Sequence, residues 1–184
     1  MISIVYDVRR YRSLLAETVR EGDFVIEIGP HTGKSTLGYI EKAGKIILVD
    51  KGRDCEKNLR LFADSHEKVS FVCADARGFE AVKEVLKETR KCDVFAVDMG
   101  GGRHVDTVFK VWTTWSGIFK PRDSIIRNRE LVEFLSRANI VDDSVKKEFD
   151  DDGWLATWGR ETPYQLRKQL EEFGYWIDID KPLD

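Results

Sequence analysis

Acidic residues recur at nearly even intervals through the first half of the chain. Each falls in or just after a short apolar run, and neighbouring members of the set lie 23 to 25 residues apart. That interval suits one strand followed by one helix, so in a parallel sheet the acids would share the carboxyl-terminal edge, where such sheets bind ligands. Carboxylates gathered there favour a cationic or neutral nucleoside ligand over a triphosphate. Alternatively, each acid only begins a turn or caps the next helix. The four residues are Glu27, Asp50, Asp75 and Asp98.

The apolar runs themselves predict strands. They are nearly continuous in Val, Ile and Phe, as expected for strands covered on both faces. Between them lie amphipathic helical stretches, such as 78–90 with its apolar stripe of Phe79, Val82 and Leu86. This alternation predicts an α/β fold with an open, doubly wound and mostly parallel sheet. The predicted strands are 24–29, 45–50, 69–75, 93–98 and 123–128.

Further helices are predicted outside these strands. One covers 9–20 and ends near Gly22, another covers 105–118, and a third begins at Thr162 and stops at Gly174, before a late strand at 175–180. Helical spacing predicts that Trp112 and Trp115 pack in the core. The segment 138–161 is acidic, and its two tryptophans, Trp154 and Trp158, either form a lid over a substrate or anchor the last helix.

Length and composition limit the class of protein. The chain has 184 residues, 30 basic and 33 acidic, which predicts one domain over 1–184 and argues against a protein built to coat nucleic acid. No apolar run predicts a membrane span, and the polar N-terminal stretch does not resemble a signal peptide. Three cysteines without CxxC spacing favour a cytoplasmic protein with no zinc site.

A glycine-containing loop follows the first predicted strand. A phosphate-binding P-loop needs four residues between its glycines, but here three separate Gly29 from Gly33. The dinucleotide pattern GxGxxG also fails, because His31 stands at its second glycine position. A glycine turn that feeds a helix still exposes amide donors to a ligand. The loop residues are Gly29, Pro30, His31, Thr32 and Gly33.

At these residues the chain resembles the class I S-adenosylmethionine-dependent methyltransferases. Their first motif is an acid followed by GxGxG, which Glu27 and the loop 29–33 match except at His31. The resemblance spans about residues 20–137. It implies that Glu27 and the loop hold the methionine part of S-adenosylmethionine and that Asp98 lies beside the transferred methyl group. It also implies that Asp50 binds the ribose and that Asp75 and Ala76 meet the adenine, and Lys51 is expected among the cofactor-binding residues.

The acceptor side is expected to follow the fourth and fifth of these strands. We expect Arg103, His104, Arg127 and Asn128 to bind the acceptor, for which the two arginines favour an anionic small molecule, and His104 to act as a general base beside Asp98. Alternatively, His104 only opens the helix at 105–118 and faces water. A catalytic metal is not expected, because Arg127 would place a cation beside the possible ligands Asp98 and Asn128. The basic segment 120–129 makes RNA a weakly supported acceptor.

The chain is thus predicted to have a cofactor half at about 20–100 and a substrate half at about 100–184. The family core ends in an antiparallel hairpin, for which only 175–180 provides a clear strand, so this hairpin is predicted to be truncated. Two other functions stay open: a non-catalytic protein that binds S-adenosylmethionine or a partner, and a P-loop nucleotide hydrolase.

Overall fold

The computed structural model describes residues 1–141 and 151–155. Its strands form one sheet in which every pairing is parallel, in the order β1-β6-β5-β2-β3-β4. The predicted open parallel sheet is therefore confirmed, and all five predicted strands are present. The strands are β1 (Ile2–Val5), β2 (Phe24–Ile28), β3 (Lys45–Asp50), β4 (Val69–Cys73), β5 (Val94–Val97) and β6 (Asp123–Arg127).

Helices cover both faces of this sheet. Leu15 and Leu59 belong to the hydrophobic core on one face, whereas Val82 and Trp115 belong to the core on the other. The doubly wound arrangement is thus confirmed. Trp112 and Trp115 are buried in the second core, as their spacing predicts. The helices are α1 (Val8–Thr18), α2 (Arg53–Asp64), α3 (Phe79–Glu88), α4 (Val105–Phe119) and α5 (Arg129–Arg137), with short 3-10 turns at Thr36–Gly38 and Gly100–Gly102.

The N-terminal strand β1 was not predicted from the sequence. It has four residues, of which only Val5 is fully buried, so it carries no continuous apolar run. It pairs in parallel with β6 and occupies the position beside that strand. The predicted helix 162–174 and strand 175–180 lie outside the described residues, as does the expected truncated hairpin.

The predicted helix after the loop 29–33 does not form. Turns lead instead into the 3-10 turn Thr36–Gly38, since only 11 residues separate Gly33 from Lys45 and Gly38 is a poor helix former. Helix α1 is also shorter than predicted, and Gly22 adopts its left-handed conformation in the turn beyond it, at φ +79°.

Trp154 lies far from the predicted ligand edge. The Gly153 amide donates to the Pro121 carbonyl (3.0 Å), and the Lys120 ammonium lies 5.6 Å from the Trp154 ring centroid. Both contacts are at the amino-terminal end of β6. The lid role is therefore wrong for Trp154, whereas Trp158 lies outside the described residues. Among the helices that the structure describes, none has the length and apolar character needed to cross a bilayer.

Candidate functional site

A cavity of about 420 Å³ opens at the carboxyl-terminal edge of the sheet. It lies between the neighbouring strands β2 and β5, where the strand order reverses. From β2 the chain continues outward to β3, and from β5 it continues in the opposite direction to β6. Such a reversal leaves a crevice between the diverging connections, which is where open α/β sheets bind ligands. Apolar side chains share its wall with three acidic and four basic residues. The lining residues are Val8, Arg12, Ile28, Gly29, His31, Val49, Asp50, Lys51, Ala74, Asp75, Ala76, Asp98, Met99, Gly100, Gly101 and Arg127.

Three of the four acids line this cavity together. Asp50 ends β3, Asp75 follows β4 and Asp98 follows β5, so the parallel register brings them to one edge, as the spacing predicts. Glu27 does not join them. It is the fourth residue of β2, and its side chain faces the α1 and α2 layer instead of the cavity.

Glu27 is completely buried beneath the loop 29–33. Its Oε2 accepts hydrogen bonds from the Thr36 hydroxyl (2.8 Å) and the Tyr39 hydroxyl (2.5 Å). Within the part of the chain that the structure describes, its Oε1 has no hydrogen-bond partner, and neither has the nearby buried hydroxyl of Tyr11. Burial raises the pKa of Glu27 above its ordinary value, although the Tyr39 and Thr36 hydroxyls oppose the shift. Glu27 therefore holds the segment that follows the loop.

The loop 29–33 is closely joined to Asp98 and Asp50. Gly29 adopts φ +76°, and a Cβ atom there would lie 2.1 Å from the Asp98 carbonyl oxygen, so only glycine fits. His31 adopts φ +52°, the left-handed region that the middle glycine of the family motif would occupy without strain. Its amide donates to Asp50 Oδ2 (3.1 Å). Pro30 is buried, whereas Thr32 is exposed and neither lines the cavity.

Basic side chains surround Asp75. The Lys51 ammonium lies 3.0 Å from Asp75 Oδ2, and the Arg77 guanidinium donates to both carboxylate oxygens. The Arg77 hydrogen bonds, more than any other interaction, hold the pKa of Asp75 well below its usual range. Trp115 donates its indole N–H to the Ala76 carbonyl (2.9 Å), so α4 fixes the turn after β4.

Asp98 and Arg127 form an ion pair inside the cavity wall. Arg127 Nη1 lies 2.7 Å from one Asp98 oxygen and 3.0 Å from the other. Burial raises the pKa of Asp98, while the Arg127 charge opposes that shift. The expected role of Arg127 as a free cation for an anionic acceptor is therefore corrected, because its charge is already neutralised.

Asn128 is buried and serves the fold. Its Oδ1 caps α5 by accepting from the Leu131 amide (2.8 Å), and its Nδ2 donates to the Arg103 carbonyl (2.9 Å). Both ends of its amide are hydrogen-bonded within the fold and the residue has no exposed surface, so its expected substrate-binding role is not supported by the geometry.

Arg103 and His104 are exposed and lie beside the cavity, outside its lining. His104 precedes α4 in the left-handed conformation, with φ +59° and no side-chain cap bond. This agrees with the alternative in which it opens that helix and faces water. Its ring nevertheless lies over Gly100, where a Cβ atom would approach His104 Cδ2 to 2.9 Å. The segment 100–104 thus forms the mouth of the cavity.

Sequence reasoning missed the contribution of α1, which brings Val8 and Arg12 to the cavity wall. The position of α1 depends on β1, which pairs with β6 and was not predicted. One signal was available, because Arg12 falls three residues before the buried Leu15 on the inward stripe of the helix. A charged residue on an apolar stripe usually has a specific partner.

The comparisons with known proteins rest on structure alone, because no protein-family model and no curated protein matches the chain. An rRNA methylase from Streptococcus thermophilus superposes with a TM-score of 0.50 at 12% identity, covering 72% of this chain and 80% of that one. The YcgJ protein of Bacillus subtilis gives 0.47 at 18% identity, covering 62% and 47%. Fibrillarin from Aeropyrum pernix, with S-adenosyl-L-methionine natively bound, gives 0.46 at 18% identity, covering 62% and 50%.

The chain spans about half the length of the YcgJ and fibrillarin structures and most of the rRNA methylase. At sequence identities this low, the likeness shows a shared fold alone. The six-stranded parallel order and the cavity between β2 and β5 agree with that likeness. The chain has the fold of the class I S-adenosylmethionine-dependent methyltransferases.

Proposed function

We propose that this protein is a methyltransferase that binds S-adenosylmethionine in the cavity between β2 and β5. The observation that carries the proposal is the meeting of Asp50, Asp75 and Asp98 around one cavity at the reversal of the sheet. Carboxylates are hydrogen-bond acceptors and anions, which suits a ligand that carries hydroxyl groups, an amine and a sulfonium. Asp50 accepts from backbone amides and has no ion pair within the described part of the chain, so its negative charge would oppose a polyphosphate there.

The polar and apolar groups of the cavity wall fit the parts of this cofactor. Asp50 is held by the amides of His31 (3.1 Å) and Gly52 (2.8 Å), which leaves a rigid acceptor for the ribose hydroxyls. Asp75 and Ala76 would meet the adenine, next to the apolar surface of Val49 and Ala74. Lys51 steadies Asp75 through their ion pair.

The methionine part would lie over Gly29 and beside Asp98. When bound, the cofactor supplies an activated methyl group on a sulfonium, so alignment with the acceptor can provide much of the rate. Asp98 is oriented by Arg127, which holds the carboxylate in one position. Glu27 would act indirectly: its hydrogen bonds hold Thr36 and Tyr39, and with them the segment after the loop.

The acceptor would enter at the mouth 100–104. The glycines of the 3-10 turn Gly100–Gly102 have positive φ and no side chains, so a substrate can approach the backbone closely. His104 and Arg103 are exposed there, and His104 is the proposed general base. We propose a small-molecule acceptor, with RNA as the competing class.

Calorimetry with S-adenosylmethionine tests the binding half of this proposal. The protein should bind it, and Asp50→Asn should weaken binding at least about tenfold, because the neutral side chain loses charge-assisted hydrogen bonds. Asp64→Asn, at the exposed end of α2, is the matched control and should bind normally. Binding of magnesium ATP with no binding of S-adenosylmethionine would instead identify a nucleotide hydrolase.

Methyl transfer tests the catalytic half. Cofactor labelled at the methyl group is incubated with the protein and with separated cell fractions of small metabolites, RNA and protein. Label in the metabolite fraction supports the proposed acceptor, and label in RNA moves the assignment to the competing class. Binding without transfer to any fraction would favour the non-catalytic protein. Unchanged turnover in the His104→Gln variant would show that His104 is not the general base.

A further inference from the structure

We propose that Arg12 of α1 binds the α-carboxylate of S-adenosylmethionine, an inference that rests on the proposed function. The cofactor carries one carboxylate, at its amino-acid end, in addition to its cationic groups. Asp75 and Asp98 are already paired with cations, whereas Asp50 is not, so a carboxylate that enters the cavity needs a cation whose charge is still available. Arg12 is the cation of the lining that has no ion-pair partner among the described residues.

Arg12 is placed at the cavity by the N-terminal part of the fold. Strand β1 runs parallel to β6 and ends at the same edge, so α1 begins beside the cavity with Asp7 as its cap. Val8 and Arg12 are four residues apart and therefore lie on one side of the helix. Both line the cavity, and Arg12 is half-buried there.

The Arg12 guanidinium lacks a partner that its surroundings would require. Its Nε is buried and makes no hydrogen bond within the described part of the chain. Buried guanidinium nitrogens normally bind a carboxylate, a carbonyl or another acceptor. An anionic ligand with two oxygens would satisfy the planar fork of donors that arginine presents.

The other cations of the wall are already paired. Lys51 lies 3.0 Å from Asp75, and Arg127 lies 2.7 Å from Asp98. The His31 ring faces the exposed Asp54 at 3.7 Å. Among the lining residues that the structure describes, Arg12 is thus the cation without an ion pair within 4 Å.

The position of Arg12 selects the amino-acid end of the cofactor over the nucleoside end. Its charge acts on Asp98, whose pKa it helps to lower against the larger effect of burial. Asp98 in turn lies beside Gly29, because the Asp98 backbone amide donates to the carbonyl of Ile28, the residue before Gly29 (3.0 Å). The proposed ribose and adenine contacts, Asp50 and Asp75, follow other strands.

Two ligands that differ only at the carboxylate test this assignment. Calorimetry compares S-adenosylmethionine with its decarboxylated analogue on the unmodified protein, on Arg12→Gln and on Arg9→Gln. Arg9 is on the same helix but exposed and outside the lining, so it is the matched control. The unmodified protein and Arg9→Gln should bind the carboxylated ligand at least about tenfold more tightly, and Arg12→Gln should lose that preference.

The outcomes separate this inference from the proposed function. Equal affinity of the unmodified protein for both ligands would overturn the role of Arg12 while leaving the cofactor assignment intact. A preference that survives in Arg12→Gln would do the same. Binding of neither ligand by the unmodified protein would overturn the proposed function itself. If Arg12→Gln does not fold, Arg12→Lys keeps the charge and should retain part of the preference.

Discussion

The carboxylate of Asp98 and the guanidinium of Arg127 are 2.7 Å apart, and both side chains are largely buried, at 15% and 10% exposed. Asp98 follows β5 and Arg127 ends β6, so the pair joins two adjacent strands at the cavity. The sequence suggested separate roles for them, an acid near the methyl group and a cation for the acceptor. Their contact makes them one unit whose charges cancel.

Loss of one partner of this pair should cost stability. In Arg127→Gln the buried Asp98 carboxylate is left without its cation, and the free energy of unfolding at pH 8 should fall by about 3–5 kcal/mol. Arg127 opposes the rise in the pKa of Asp98 that burial causes, so its removal should raise that pKa further. Protonation then relieves the unpaired charge, and the loss should be smaller at pH 5. Urea denaturation at both pH values measures this.

The double variant Asp98→Asn/Arg127→Gln is the control for that experiment. With the acid neutral, removal of the cation should cost much less than in the single variant, and a double-mutant cycle isolates the coupling. Additive effects of the two substitutions would contradict the ion pair.

Gly29→Ala should disrupt the site more than an ordinary change at a left-handed glycine. The new Cβ would meet the Asp98 carbonyl oxygen at 2.1 Å, so the loop and the end of β5 must separate. We expect unfolding to become easier by more than about 3 kcal/mol, with cofactor binding lost.

Gly22→Ala provides the matched comparison. Gly22 also has positive φ, at +79°, but apart from its chain neighbours no heavy atom of the described residues lies within 4 Å of its added Cβ. This variant should lose only the cost of a left-handed alanine, about 1–2 kcal/mol, and should keep cofactor affinity. Similar losses in both variants, measured by urea denaturation, would show that the close approach to Asp98 does not matter.

Glu27→Gln should change the pH dependence of stability. Because burial raises the folded-state pKa of Glu27 above its ordinary 4.5, the native protein holds this proton over a range in which the unfolded chain releases it. Its contribution to stability is therefore greatest at low pH and declines as pH rises from about 4.5 to the raised folded value. Glutamine does not titrate, so the variant should gain stability relative to the parent as pH increases, by at most about 1.4 kcal/mol per pH unit.

Urea denaturation of both proteins at several pH values between 4 and 8 gives this difference directly. The lowered pKa of Asp75 affects both proteins equally and cancels, whereas Asp98 interacts electrostatically with Glu27 and contributes to the difference. The variant keeps an oxygen that can accept from Thr36 and Tyr39, so its packing should change little. A constant difference across this range would contradict a buried, titrating Glu27.

The local pattern of apolar residues was sufficient to predict most strands of the sheet. Runs such as 45–50 and 93–98 are apolar because strands covered on both faces must be, and this composition is visible without knowledge of their neighbours. The same logic failed for β1, whose four residues are mostly half-buried and whose pairing with β6 joins segments more than 100 residues apart.

The alternation of strands and helices can be read from the amino-acid order alone, and with it the edge at which Asp50, Asp75 and Asp98 meet. Strand period and helix length are local properties, so even spacing translates directly into a shared edge. The packing of the folded chain was needed to show that Glu27 faces away from the cavity, that Arg127 is paired with Asp98 and that Arg12 reaches the wall. Those relations depend on which face of a strand a side chain takes and on which distant segments become neighbours, and neither is encoded by spacing along the chain.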